Sequence, residues 1–183
     1  MLAPQQAWEV LGSAEEVCSA ATVAQAVTRI AAEITRVLAD DNPLVLSVMG
    51  GAVVFTGQLL PLLRFPLEYD YLHLTRYGDA TTGGRTEWKA FPLEAVAGRV
   101  VLVVDDILDE GYTMAEIRTR ILAAGARRCY CAVFADKDIG KSKPIAADFV
   151  GVRLPNRYVF GFGMDVKGAW RNLPGIYALK EQR

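Results

Sequence analysis

Apolar residues along this chain recur with two different spacings, and segments of the two kinds alternate. Short apolar runs that end in glycine or aspartate are typical of strands covered on both faces, whereas apolar residues three or four positions apart are typical of helices. The predicted strands are "PLVLSVMGG" (43–51), "RVVLVVDD" (99–106) and "RRCYCAVFAD" (127–136), and the predicted helices are "AVVFTGQLLPLLR" (52–64) and "YTMAEIRTRILAAGA" (112–126). This alternation predicts an α/β protein with a mostly parallel central sheet flanked by helices.

An amphipathic helix is predicted before the first of these strands. Its apolar positions recur at alternating steps of four and three residues: Val23, Val27, Ile30, Ile34 and Val37. Ser13 and Glu16 have the spacing of a capping box, so the helix is predicted to begin there.

Three further strands and one long loop complete the predicted elements. Alternation and aromatic content predict strands at "PLEYDYLHLTRY" (66–77), "DFVGVRL" (148–154) and "RYVFGFGMD" (157–165). The segment "GDATTGGRTEWKAF" (78–91) is polar and rich in glycine, and we expect a long mobile loop there. Loops of that length inside a compact domain are usually functional.

Composition and charge are those of an ordinary globular protein. The 183 residues are 52% hydrophobic and 22% charged, which predicts one domain with a sizeable core. Lys and Arg number 20 against 21 Asp and Glu, which disfavours a nucleic-acid-binding surface. No apolar run is long enough to span a bilayer, and "MLAPQQAWEV" lacks the features of a secretory signal. The three cysteines are expected to be reduced, so a cytoplasmic location is predicted.

The most informative segment is "DDILDEGYT", at the carboxyl end of a predicted buried strand. In parallel sheets, ligands bind at that end. Gly111 permits close backbone approach, and the following helix start offers N–H groups to a phosphate. Carboxylates such as Asp105 and Asp106 suit ribose hydroxyls or a divalent cation held through water. Together they predict a site for a sugar phosphate.

A simpler interpretation is that Asp109 caps the helix while Asp105 and Asp106 are solvated loop residues. For one aspartate near a helix start we would prefer it. Two acids at the end of an apolar strand, followed by Asp-Glu-Gly-x-Thr, favour a functional site instead.

The segment "VVLVVDDILDEGYT" resembles the signature by which type I phosphoribosyltransferases bind 5-phosphoribosyl 1-pyrophosphate (PRPP). The resemblance runs from about Leu44 to the carboxyl end, and "FGFGMD…WRNLPGIY" is similar to the hypoxanthine-guanine branch of that family. It implies purine salvage: transfer of the phosphoribosyl group to N9 of a 6-oxopurine, giving IMP or GMP and pyrophosphate.

The resemblance also implies roles for the residues of the central motif. Asp109 would be the general base that takes the proton from purine N7. The 5′-phosphate would be bound by four residues: Glu110, Gly111, Tyr112 and Thr113. Asp105 and Asp106 would contact the ribose hydroxyls and orient the waters of Mg²⁺, the implied cofactor.

Base recognition would come from the last third of the chain. Lys137 would donate to the 6-oxo group, Tyr158 would stack on the purine, and Val159 would present its backbone to the 2-position. Asp165 would lie beside the base and reach a second Mg²⁺, and Arg171 would bind pyrophosphate.

Two loops would complete the PRPP site. Gly50 and Gly51 would form the pyrophosphate loop, and Arg76 and Tyr77 would begin a mobile loop that closes over the reaction. The chain departs from the family pattern in three places. Met49 replaces a common lysine, Arg76 a common serine, and Glu110 a common threonine.

The resemblance further implies a single domain over residues 1–183, with a core at about 40–150 and a small hood built from both terminal segments. It implies small-molecule ligands only (PRPP, purine, pyrophosphate and nucleotide) and a homo-oligomer, dimer or tetramer. Two alternatives stay open: a xanthine-preferring phosphoribosyltransferase, and a non-catalytic regulator that senses PRPP or nucleotides on the same fold.

Overall fold

The computed structural model of the protein describes residues 1–77 and 85–180. Its helices are α1 (Pro4–Ser13), α2 (Ala20–Leu38), α3 (Val53–Leu59), α4 (Leu93–Val96) and α5 (Tyr112–Ala123). Its strands are β1 (Glu15–Cys18), β2 (Leu44–Met49), β3 (Glu68–Tyr77), β4 (Arg85–Ala90), β5 (Val100–Leu108), β6 (Arg128–Asp138), β7 (Phe149–Pro155), β8 (Val159–Phe160) and β9 (Ile176–Ala178).

Six strands form the central sheet, in the order β4-β3-β2-β5-β6-β7. All neighbours are parallel except β4, which runs antiparallel to β3 at one edge. The predicted α/β class with a mostly parallel sheet is therefore confirmed. Because β2, β5 and β6 are parallel neighbours, their carboxyl ends meet at one edge, where ligands bind in such sheets.

Apolar side chains cover both faces of this sheet. One cluster joins α2 and α3 to β5 and β6 through residues such as Ile30, Phe55 and Phe134. The other lies beneath α5 and includes Val103 and Ile117. Coverage on both faces explains the unbroken apolar runs of β2 and β5 in the sequence.

A second, three-stranded sheet has the order β1-β9-β8 and pairs all its strands antiparallel. Residues near the two ends of the chain thus pair directly, with Glu15 opposite Ala178. Neither α1 nor β1 was predicted from the sequence.

The predicted start of the long helix was wrong. Ser13 ends α1, where its hydroxyl donates to the Val10 carbonyl, and Glu16 belongs to β1. The helix begins after Ser19, whose hydroxyl accepts from the Thr22 amide at 3.2 Å and so acts as the N-cap. The predicted apolar stripe is otherwise right, except that Val37 is exposed and Leu38 takes its place in the core.

Two predictions about the middle of the chain also need correction. Part of the expected 78–91 loop is strand β4, because its backbone pairs with β3; residues 78–84 lie outside the described part. Strand β5 continues to Leu108, so Asp105 and Asp106 lie within it and not after it. Pro61 does end α3, and a single 3₁₀ turn over Leu60–Leu62 follows.

Within the described ranges, all three cysteines are free, and no helix has the length and apolar character needed to cross a membrane.

Candidate active site

Two adjacent carboxyl groups lie near the end of β5. Asp106 is buried and Asp105 is partly buried, and the Asp106 amide donates to Asp105 Oδ1 at 2.9 Å. Burial, followed by the charge of Asp106, raises the pKa of Asp105 well above its ordinary value. Burial also raises the pKa of Asp106, although a hydrogen bond with Asp105 and the charge of Arg171 act in the opposite direction. Burying these two carboxyl groups side by side lowers the free energy of unfolding. A bound hydroxyl or cation would reduce this loss, because it would give the carboxyl groups a partner.

We expect Asp105→Asn to stabilise the ligand-free protein at neutral pH. Asparagine keeps an oxygen that accepts from the Asp106 amide, and it replaces the acid with a group that does not ionise in either state. Because folding raises the pKa of Asp105, the folded state retains a proton that the unfolded chain loses above about pH 4. This group therefore lowers stability progressively as the pH rises from that value to its folded pKa. The variant's advantage should be largest at neutral pH and shrink toward about pH 4.

Thermal unfolding across that pH range measures this, with a Tm change of about 2–4 °C for each kcal/mol in a chain of this size. Asp40→Asn, at an exposed carboxylate, serves as the control. A variant less stable than wild type at neutral pH would show that the acid at Asp105 does not lower stability.

The segment after β5 forms a turn that leads directly into α5. Gly111 has φ +86°, and its carbonyl accepts from the Ala115 amide at 3.0 Å, so the helix starts there. The first residues of α5, Tyr112 and Thr113, line a cavity of about 380 Å³ together with the rest of residues 105–114. A helix start beside a polar cavity can bind a phosphate group.

The side chain of Glu110, which replaces a common threonine, turns toward a cation. Lys141, from the crossover between β6 and β7, lies 3.5 Å from its Oε1. This neutralisation reduces the repulsion that a glutamate would otherwise exert on a phosphate.

The Asp109 carboxylate and the Lys137 ammonium lie 2.7 Å apart. Asp109 is half exposed, whereas the Lys137 side chain is only 11% exposed, at the end of β6. Both residues line a second cavity, of about 210 Å³, which lies next to the first, since Asp106, Ile107 and Asp109 line both. A proton acceptor and a cationic donor thus face the same space.

The same cavity is also lined by Tyr158, by Val159 of β8 and by residues that follow β8. Val159 is buried, and Tyr158 is exposed, with its hydroxyl donating to the Asp165 carbonyl at 3.2 Å. The Asp165 carboxylate forms an ion pair with Arg171, with 2.5 Å between the oxygen and the guanidinium nitrogen. It also accepts a hydrogen bond from the Gly168 amide at 2.7 Å. Burial, followed by the charge of Asp165, raises the pKa of the Tyr158 hydroxyl, so the ring is neutral at physiological pH.

Three backbone segments meet beneath these cavities without room for a side chain. The peptide between Met49 and Gly50 is cis. A Cβ on Gly51 would overlap the Asp106 carboxylate, and a Cβ on Gly163 would overlap the Gly51 carbonyl. The pyrophosphate loop predicted at Gly50 and Gly51 is therefore in direct contact with β5 and with the Gly163 loop.

Arg76 and Tyr77 were predicted to begin a closing loop. Their backbone ends β3, opposite Thr86 and Arg85 of β4. Their side chains, like residues 78–84, lie outside the described part of the chain.

Three residues at the site were missed by the sequence analysis: Lys143, Gly163 and Met164. Met164 is 4% exposed and lines the second cavity. The glycine pair in "FGFGMD" is a visible signal for close backbone approach. Nothing local distinguishes Lys143 from the other lysines of the polar crossover.

Comparison with known proteins matches this geometry to one family. Residues 13–167 match the family model described as "Phosphoribosyl transferase domain". A hypoxanthine-guanine-xanthine phosphoribosyltransferase from Tritrichomonas foetus is 38% identical over 157 residues, 85% of each chain. A hypoxanthine-guanine phosphoribosyltransferase from Streptococcus pneumoniae (strain ATCC BAA-255 / R6) is 30% identical over 161 residues, 87% of this chain and 89% of that protein.

A solved structure of a hypoxanthine-guanine-xanthine phosphoribosyltransferase superposes with a TM-score of 0.76 at 33% identity, covering 91% of this chain and 94% of the other. Sequence and structure thus point to the same family over most of the chain.

Proposed function

The chain belongs to the phosphoribosyltransferase family, and we propose that it is the purine-salvage enzyme that transfers the 5-phosphoribosyl group of PRPP to N9 of hypoxanthine or guanine. The observation that carries this proposal is the 2.7 Å pair of Asp109 and Lys137, in a cavity next to the one at the start of α5. The products would be IMP or GMP and pyrophosphate.

The base would lie in the smaller cavity, between Tyr158 and the Asp109–Lys137 pair. Lys137 donates to the 6-oxo group, which selects against adenine because an exocyclic amine does not accept the bond. Asp109 takes the proton from N7 as N9 attacks the anomeric carbon. Tyr158 stacks its ring on the face of the purine, a contact that does not depend on the groups at the edge of the base. The Val159 backbone faces the 2-position.

PRPP would occupy the larger cavity. The turn from Glu110 to Thr113 binds the 5′-phosphate through amides at the start of α5, and Asp105 and Asp106 accept from the ribose hydroxyls. Arg171 binds the departing pyrophosphate beside the Gly51 loop, where it stabilises the negative charge that develops as the bond to the ribose breaks.

The acidic residues fit a Mg²⁺ cofactor, because oxygen donors suit this cation and it keeps several waters. Asp105 and Asp106 supply adjacent carboxylates whose desolvation a cation would offset. The Asp165 carboxylate already forms an ion pair with Arg171 and accepts from the Gly168 amide, which suits contact with the cation through water. When bound, the cation would neutralise charge on the pyrophosphate.

We further propose that the chain is one domain, with the six-stranded sheet as its core and the three-stranded sheet as its hood. It would act in the cytoplasm as a homodimer or homotetramer, without nucleic-acid or membrane partners. The exposed apolar side chains of Val53 and Leu62, on and after α3, support an interface at that helix.

The test is pyrophosphate release from PRPP and Mg²⁺ with hypoxanthine, guanine, xanthine and adenine supplied separately. We expect turnover of hypoxanthine and guanine and none of adenine. Faster turnover of xanthine would establish the xanthine-preferring alternative, and xanthine is included because similar proteins are named for it. If no base is turned over but calorimetry shows that PRPP binds, the protein is a non-catalytic regulator that senses PRPP or nucleotides.

A further inference from the structure

A mostly buried lysine outside the proposed substrate-binding residues joins β5 to β6, next to the proposed catalytic pair. Lys143 lies in the crossover between β6 and β7, and its side chain is only 12% exposed. Its ammonium donates to the Leu108 carbonyl at 2.7 Å and to Asp136 Oδ1 at 2.6 Å. A buried ammonium is tolerated when it is paired and hydrogen-bonded in this way.

The two partners of Lys143 are significant because of their neighbours in the chain. Leu108 immediately precedes Asp109, and Asp136 immediately precedes Lys137. Leu108 and Asp136 are also opposite each other in the β5–β6 ladder, near the point where β5 ends. One ammonium therefore ties together the residues just before the proposed base and the proposed 6-oxo donor.

The same lysine packs against the phosphate-binding turn. A Cβ placed on Gly111 would lie 3.3 Å from Lys143 Cβ and 3.3 Å from Pro144 Cδ, with Ile145 at 3.4 Å. The crossover thus forms the outer wall of this turn.

We infer that Lys143 is a positioning residue, which holds Asp109, Lys137 and the 5′-phosphate turn in one fixed arrangement. The inference rests on the proposed function. Lys143 acts through Leu108 and Asp136 and does not touch the reacting atoms. Misplacement of reacting groups by about 1 Å can reduce turnover about 100-fold, so a residue of this kind affects kcat as well as stability.

The first experiment measures kcat and KM of Lys143→Met, which keeps the length of the side chain and removes the ammonium. We expect kcat per folded molecule to fall roughly 10- to 100-fold. Lys143→Arg, which keeps a cation and several donors, should recover part of that loss.

Arg99→Met is the matched control. Arg99 also joins a carboxylate (Glu68, 3.1 Å) to a backbone carbonyl (Asn42, 3.1 Å), but it lies just before β5, at the opposite end of the strand. We expect this control to lower Tm while leaving kcat unchanged. If both variants lose Tm and neither loses kcat, Lys143 has only a structural role and the inference is wrong.

A double-mutant cycle with Lys137→Met tests the route of the effect. If Lys143 acts by aligning the catalytic pair, the double variant should lose less kcat than the product of the fold-losses of the two single variants. Fully multiplicative losses would overturn the inference.

If Lys143→Met does not fold, Asp136→Asn is used in its place. This substitution weakens the contact between residue 136 and the Lys143 ammonium but keeps an oxygen that can accept from it. It should then show the loss in kcat, and an unchanged kcat would again contradict a positioning role. Failure of the proposed function is distinguishable, because wild-type protein would then turn over none of the bases.

Discussion

Asp109→Asn should lower kcat for 6-oxopurines by about 10²- to 10⁴-fold, the range that general acid–base catalysis contributes. Asparagine has nearly the same shape but accepts no proton at neutral pH. The variant also loses the charge that pairs with Lys137 at 2.7 Å. The asparagine oxygen can still accept from the Lys137 ammonium, but that side chain is only 11% exposed, so the loss of its charged partner should also lower stability. The measurement is steady-state pyrophosphate release with hypoxanthine and with guanine.

PRPP binding separates this effect from simple misfolding. The Asp109→Asn protein should bind PRPP with nearly unchanged affinity by calorimetry, since the residues proposed to bind the phosphate and the ribose are intact. Asp41→Asn, which removes a surface carboxylate paired with Arg127 at 2.6 Å, should leave kcat unaltered. If Asp109→Asn keeps full turnover, another group accepts the proton.

Gly163→Ala is expected to affect stability and catalysis together. The added Cβ would overlap the Gly51 carbonyl, and φ at this residue is +102°, a conformation that side chains rarely adopt. Gly163 also exchanges two hydrogen bonds with Arg171: its amide donates to the Arg171 carbonyl at 2.8 Å, and its carbonyl accepts from the guanidinium at 2.6 Å. Any shift that relieves the overlap therefore displaces the arginine proposed for pyrophosphate.

For Gly163→Ala we expect a loss of roughly 2–4 kcal/mol in the free energy of unfolding and a higher KM for PRPP. Gly98→Ala provides the comparison, because Gly98 has φ +70° but no atom within 4 Å of the added Cβ. The difference in Tm between the two variants isolates the overlap from the backbone strain. Equal losses in both would mean that the Gly51 loop moves aside freely.

The central part of the fold could be predicted because its signals are local. The central strands β2, β5 and β6 each contain a contiguous apolar run, and the acids and Gly111 lie within one short segment. The small sheet could not be predicted in the same way, since Glu15 pairs with Ala178 far along the chain. Ser13 and Ser19 both precede plausible helix starts, and only that pairing draws residues 15–18 into a strand.

The same contrast holds within the candidate site. The roles proposed for Asp109 and Lys137 come from motif resemblance, but their 2.7 Å contact comes from the β5–β6 register. The contacts of Lys143 depend on how the crossover between β6 and β7 packs against the ends of β5 and β6. The spacing of apolar residues in the sequence does not indicate that packing. Sequence therefore indicates the groups that bear the chemistry better than it indicates the residues that hold them in place.

The pairing of β1 with β9 also sets an order of events during synthesis. A ribosome makes the amino end first, so β1 has no partner until residues 176–178 have been made, whereas the β5–β6 pair needs only residues up to 138. The small sheet includes β8, which carries Val159 of the cavity proposed for the base. A nascent chain can therefore form β5, β6 and the turn at Gly111 before β8 is paired, because β8 pairs with β9, the last strand to be made.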